Sequence, residues 1–203
     1  MTVTRLSIFP LPGALLFPGM HLPLHIFEPR YRAMVSDAMA RDRRIGMLQP
    51  SGDGDKPSLY AIGCVGRIAE VEALDDGRYN LILEGLSLFR VIRELDVTTA
   101  FRQVEATLLP VTTGETLSLG RRSSLEIESR RFADAQGYSV DWDAVGRLDD
   151  ESLVNGIAQI APFDTAAKQA LLEATDIETR AELTIQLMQF FGRHDGEERV
   201  TLQ

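Results

Sequence analysis

Eight of the nine prolines fall before residue 111, and the apolar residues change their period at about the same place. Proline fixes φ and removes a ladder donor, so it suits strand ends, sheet edges and turns and breaks helix interiors. The distribution therefore predicts an α+β chain: a β-rich half over residues 1–113, then a helical half over residues 114–203. The charge divides in the same way. Residues 1–113 carry 12 Lys/Arg against 13 Asp/Glu, whereas residues 114–203 carry 9 against 17.

In the first half, apolar runs over 5–9 and 20–27 are separated by a Pro/Gly-rich loop from Pro10 to Gly19. Alternating runs over 61–73 and 78–84 are joined by Asp75-Asp76-Gly77, a tight hairpin signal. Runs over 88–95 and 102–109 continue the meander. Five or more strands spaced by about ten residues indicate a small barrel or sandwich rather than a doubly wound sheet. One helix interrupts them. Pro29 takes its first turn, Glu28 precedes it, and Tyr31, Met34, Val35, Ala38 and Met39 form a stripe that must face the barrel. Arg30, Arg32, Asp37 and Arg41 then point outward, a basic face in an acidic chain.

The second half reads as four helices over roughly 117–135, 149–161, 165–174 and 177–192. Asp164 and Asp176 are expected N-caps, and Gly192 is expected to end the last helix. The stretch from Gly137 to Asp149 reads as a linker with Trp142 as an aromatic plug, and the charged tail from His194 to Gln203 is expected to fray.

The composition removes several function classes. A formal charge of -9 and a pI near 4.9 repel a phosphate backbone, so neither nucleic acid nor an anionic membrane is an expected partner. Cys64 is the only cysteine; it reads as a small buried hydrophobe and fits a reducing cytoplasm. Prolines interrupt the N-terminal apolar run, so no signal peptide or transmembrane helix is expected. Lysine occurs only at Lys56 and Lys168, in neither case within a P-loop, and Ser87 lies in a strand context without a nucleophile elbow. His21 and His25 are four residues apart, but Pro23 between them argues for a strand, where they would stand about 13 Å apart and hold no common metal. Asp53 and Asp55 resemble a calcium loop only in part and read as a surface turn. The doublets Arg121-Arg122 and Arg130-Arg131 lie among Glu126, Glu128 and Asp134 and are expected to pair within their helix. No catalytic residue, metal or cofactor is expected.

The order of the motifs carries more. Phe9-Pro10-Leu11, Leu16-Phe17-Pro18-Gly19 and Leu22-Pro23-Leu24-His25-Ile26-Phe27-Glu28-Pro29-Arg30-Tyr31 resemble the opening of the N-terminal substrate-recognition domain of Lon proteases, especially its stand-alone bacterial relatives. Ile62-Gly63-Cys64-Val65-Gly66, Asp76-Gly77-Arg78-Tyr79, Glu84-Gly85 with Phe89-Arg90-Val91, Lys168 to Glu173, and Asp176 with Arg180 follow in the family's order. This resemblance implies a PUA-like β pseudo-barrel with one inserted helix, then a small helical bundle. It also implies a role in recognising protein substrates, without the ATPase and protease parts of Lon.

On that basis the expected function is non-catalytic binding of unfolded or partly folded polypeptides or of a specific protein partner. The expected surface joins Leu15, Leu16 and Phe17 to Glu28, Arg30, Tyr31 and Arg32, an apolar patch with a polar rim. The competing expectation is that Leu15 to Phe17 cap the core. A PUA-like module binding a small ligand or RNA is the alternative function, opposed by the net charge.

Overall fold

The computed structural model describes residues 3–52, 54 and 56–200, with residues 193–200 described by backbone alone. Asp53 and Asp55, the expected surface turn, lie outside the described residues. The chain forms two compact units, Met1–Val111 and Thr112–Gln203.

In the first unit, strands β1 (Val3–Pro10) and β2 (His21–Ile26) flank the Pro/Gly-rich loop, and helix α1 (Pro29–Met39) follows directly. Next come β3 (Arg44–Leu48), the two-residue strands β4 (Pro50–Ser51) and β5 (Ser58–Leu59), β6 (Ile62–Ala73), β7 (Tyr79–Glu94) and β8 (Gln103–Leu108). Pairings run β1–β3 (parallel), then β3–β6, β6–β7, β7–β8 and β8–β1 (antiparallel), which closes a ring of five strands. Strand β2 lies outside this ring, paired only with the first half of β7.

Two runs expected as separate strands, 78–84 and 88–95, are one strand. Strand β7 passes a register shift against β6 at Val65/Gly66, bends there, and pairs with β2 by its first half and β8 by its second. A bulge lets a strand turn the corner of a small barrel without ending. Strand β3 carries no alternating signal in the sequence, because Ile45 to Leu48 are all buried.

Helix α1 places Tyr31, Met34, Val35 and Ala38 against Phe9, Ile45, Met47, Cys64, Ile68, Leu81 and Leu83, as its stripe requires. A second cluster, centred on Phe89 with Leu6, Ile8, Leu48, Val65, Val104 and Ala106, completes the core of this unit. Cys64 is buried, as expected for an inert thiol.

The second unit contains α2 (Leu119–Gln136), the single turn α3 (Trp142–Val145), α4 (Asp150–Ile160), α5 (Thr165–Glu173) and α6 (Ile177–Val200). Helix α6 packs against α2, α4 and α5. Ser118, Asp149 and Asp164 each accept a backbone N–H three residues on, and Asp176 accepts from Thr179 N at 2.7 Å.

Three expectations for this half need correction. Gly192 does not end the last helix, which continues to Val200; a glycine inside a helix costs about 1 kcal/mol relative to alanine, too little to stop it without a left-handed cap. Trp142 is not a plug but opens α3, half-buried, with the Arg130 guanidinium 4.6 Å from its ring centroid. The arginine doublets pair only partly within α2. Arg122 meets Glu126 and Arg131 meets Glu128, but Arg121 reaches Glu178 and Glu182 on α6, and Arg122 also reaches Asp150.

Candidate functional site

The seven residues expected to form one surface separate into two groups. Leu15, Leu16 and Phe17 are buried, at 1%, 1% and 0% exposure. Leu16 packs in the core under α1, and its side chain approaches Gly66, while the Phe17 backbone crosses Gly85. The loop from Pro10 to Gly19 thus covers the core with its apolar residues turned in, and these three side chains offer nothing to a partner. This corrects the expected patch: an apolar run lacking ladder partners buries itself wherever small residues make room, here Gly66 and Gly85.

Glu28, Arg30 and Tyr31 come together with one another, whereas the Arg32 side chain reaches another element. Arg30 pairs with Glu28 at 2.8 Å and lies over the Tyr31 ring at 4.7 Å. Tyr31 is itself buried, its ring 4.4 Å from that of Phe9, and burial pushes its phenol above the usual range while Arg30 opposes the shift. The Arg32 guanidinium lies against Gly77 in the β6–β7 turn, the point a β-carbon there would need. Gly77 has φ +80, and its N–H donates to Leu74 O at 2.9 Å.

Beside this cluster lies a surface the sequence reading did not assemble. Among the described residues, strand β2 pairs on one side only. Pro23, opposite Ile82, has no N–H to give, so the ladder bonds to β7 fall to Leu22, Leu24 and Ile26. His21, Pro23 and His25 turn their backbone groups to the open edge and their exposed side chains to the outer face. On that face the residues stand in three cross-strand rows: His21–Glu84–Arg67, Pro23–Ile82–Glu70 and His25–Asn80–Glu72. A depression of about 520 Å³ follows the lower two rows, lined among others by Pro23, His25, Glu70, Val71, Asn80 and Ile82.

Polar contacts hold the depression's rim. His25 Nδ1 meets Asn80 Oδ1 at 2.7 Å, and Asn80 Nδ2 donates to Glu72 Oε2 at 2.8 Å. Arg78 donates both to His25 Nε2 at 3.3 Å and to Asp76, whose carboxyl it holds below the usual carboxylate range. Arg67 does the same for Glu84. Past the end of β2, Phe27 is 59% exposed, its ring 6.2 Å from that of His25 and inclined to it by 27°. An open strand edge, a shallow apolar-floored depression and an exposed aromatic ring can hold an extended chain; they assemble no nucleophile with its base. Among the described residues no cluster of His, Cys, Asp and Glu could hold a metal ion, and no helix is long and apolar enough to cross a membrane.

Comparison with known proteins gives the same architecture a family. Residues 5–189 match the substrate-binding domain of the ATP-dependent protease La (Lon). The chain belongs to the Lon substrate-binding domain family. It is 28% identical over 197 residues to Lon protease 2 of Sorangium cellulosum, covering 89% of this chain and 24% of that protein. To the Lon protease of Salinispora arenicola it is 29% identical over 206 residues, 99% of this chain and 25% of that protein. The chain therefore spans about a quarter of the length of these Lon relatives. The fold is also that of the Lon N-terminal domain protein from Xanthomonas campestris, with a TM-score of 0.67 at 23% identity over 88% of this chain and 95% of that one. The N-terminal domain of the Mycobacterium avium complex Lon protease gives 0.65 at 19% identity, covering 92% and 98%.

Within this Lon-type domain, the sequence signal that could have found the β2 surface was Pro23 itself. A proline inside an otherwise regular strand marks an edge, and the side chains flanking it on that edge are the ones left to meet a partner.

Proposed function

We propose that the chain is a non-catalytic polypeptide-binding module, its first unit a PUA-like pseudo-barrel and its second a helical bundle. The observation that carries this reading is membership of the Lon substrate-binding domain family over residues 5–189. The open edge of β2 supports it physically. An extended segment of an unfolded protein pairs with the β2 backbone at His25 and lays an apolar side chain on Phe27 or in the depression over Pro23 and Ile82. Pro23 interrupts that edge at its centre, which limits indiscriminate strand addition and keeps the association short-lived.

The test is fluorescence anisotropy of a labelled, permanently unfolded polypeptide titrated with the full chain. Saturable binding that falls about tenfold in Phe27→Ser, a loss of roughly 1.4 kcal/mol, is the expected result. Absence of saturable binding to any unfolded polypeptide overturns the reading.

A further inference from the structure

Eight described residues of the chain have positive φ, and seven are glycines; the eighth is Arg43, at φ 59. It occupies the left-handed position after α1, where its N–H donates to Ala38 O at 2.9 Å and its carbonyl accepts from Ile68 N at 2.8 Å. Glycine is the ordinary residue for such a position, because a β-carbon there is strained. Arg43 therefore holds a place that favours another residue, and its exposed side chain has no hydrogen bond or ion pair among the described residues. Such strain persists where the surrounding structure over-determines the backbone, as these two hydrogen bonds do, and it clusters at functional positions.

A second observation lies across the ladder. Arg44 stands directly opposite Arg67 in the β3–β6 register, an arrangement of like charges that destabilises a sheet. Glu84 offsets Arg67, whereas Arg44 has only Asp42, at 3.9 Å and itself exposed. Arg5, Arg41 and Arg44 line a groove of about 430 Å³ between the end of α1 and the starts of β1 and β3. Arg41 is held by Asp37 at 3.0 Å and Arg5 by Gln103. Arg5, Arg41 and Arg44 thus line one groove in a chain whose formal charge is -9, with Arg43 beside Arg44 in the sequence and Arg67 opposite it in the ladder.

We propose that this corner, centred on Arg43 and Arg44, is a docking surface for an acidic segment of a polypeptide. The inference rests on reading the chain as a polypeptide-binding module and adds a preference to it. The groove is short, contains no aromatic ring on which a base could stack, and sits on an acidic molecule, all of which disfavour nucleic acid. Guanidinium forks match carboxylates in pairs, and Asp37 and Asp42 keep the corner from becoming a uniform positive field, so it selects side-chain carboxylates over a continuous polyanion.

The experiment uses three labelled probes with the full chain at low and high salt: a neutral unfolded polypeptide, an unstructured 20-residue peptide of about half Asp and Glu, and its Asn/Gln counterpart. The acidic peptide should bind at least tenfold more tightly than the amide peptide, with an advantage that shrinks as salt rises. Arg43→Gly and Arg44→Ala should each remove most of that advantage. Arg43→Gly should do so without lowering the melting temperature, since it relieves the left-handed strain, a combination that a merely structural arginine would not give. Equal affinity for the two peptides alongside binding of the neutral probe overturns this inference and leaves the module reading intact, while no binding of any probe overturns both. A salt-sensitive dimer in sedimentation that is lost in Arg44→Ala reassigns the corner to the acidic second unit of another copy. An oligonucleotide competing as well as the acidic peptide reassigns it to polyanions in general. Either result overturns the proposal.

Discussion

The backbone carbonyl of Phe17 occupies the space that a β-carbon on Gly85 would need. Two hydrogen bonds at 2.9 Å, from Gly19 N to Gly85 O and from Gly85 N to Met20 O, lock the loop across β7 at this point. Gly85→Ala must push the two backbones apart, and backbone atoms yield less than a side chain does. We expect a loss of about 2–3 kcal/mol and a melting midpoint lower by roughly 10 °C. An unchanged melting curve would mean that the loop does not pack on Gly85.

Phe17 and Phe27 lie ten residues apart in the sequence and at opposite extremes of burial. Phe17→Ser removes a side chain with 0% exposure and should cost about 3–5 kcal/mol, so any lost binding accompanies lost folding. Phe27→Ser acts on a ring that is 59% exposed and should change stability by no more than about 0.5 kcal/mol. Urea titrations of the two variants separate them. Equal midpoints would contradict the placement of the loop.

The contrast between those two residues shows what the sequence made legible. The helix α1 could be read to its first residue because Pro29 and a regular stripe mark it locally, and the N-caps Asp164 and Asp176 likewise carry their signal within four residues. Phe17 and Phe27 look alike in the sequence, both aromatic and both next to or near a proline; only the tertiary contact with Gly85, 68 positions away, decides which is core. Strand β3 was hidden by the burial of all four residues from Ile45 to Leu48, and the continuity of β7 by a bulge whose effect depends on its neighbours. The basic outer face of α1 was legible, whereas the meeting of Arg5 and Arg44 with Arg41 at its far end depends on strand register, which spacing alone does not fix.

In the second unit, Arg180 takes the place of a helix cap. Helix α5 ends at Ala174 without a left-handed residue, and the carbonyls of Leu171 and Ala174 accept from Arg180 Nε and NH2, both at 3.1 Å. Its NH1 donates to the buried Asn155 Oδ1 at 2.9 Å. Burial pulls the guanidinium below its ordinary value, with the carboxylates of Glu115, Asp176 and Glu151 opposing. Arg180→Met fills the volume but leaves three acceptors without this donor, and we expect a loss of about 3 kcal/mol. Arg180→Lys should recover less than half of it, because one ammonium cannot reach all three. Full rescue by lysine, measured by urea denaturation, would show that charge rather than fork geometry matters.

Cys64 reports on the first unit. Its thiol is buried against the core under α1, and burial pushes it far above the usual thiol range, with weaker opposition from the backbone at Leu86 and Ser87. The thiolate is the reactive form, so a thiol reagent should label the native chain only through opening of the unit. Labelling should accelerate steeply in Gly85→Ala. Rapid labelling of the native wild type would contradict this burial.

Acid should weaken the second unit. Asp150 is held below its ordinary 3.8 first by the hydrogen bond from Arg122, at 2.6 Å, and then by Leu117 N. Asp149 is held down by the backbone N–H and hydroxyl of Ser152 at the start of α4. A carboxyl whose folded value lies below its unfolded value stabilises the fold fully above the unfolded value, and that contribution disappears as pH falls through the folded one. Stability should therefore be flat from about pH 7 to 5 and decline below about pH 4.5 as the unfolded carboxyls take up protons. Asp150→Asn should remove about 1 kcal/mol at neutral pH and make the acid decline shallower, since one of the groups that drives it is gone. Trp142, the only tryptophan, lies in this unit, so its fluorescence during denaturation at a series of pH values follows the effect. A profile in Asp150→Asn that parallels the wild type down to pH 3 would show that the Arg122–Asp150 pair is not linked to folding.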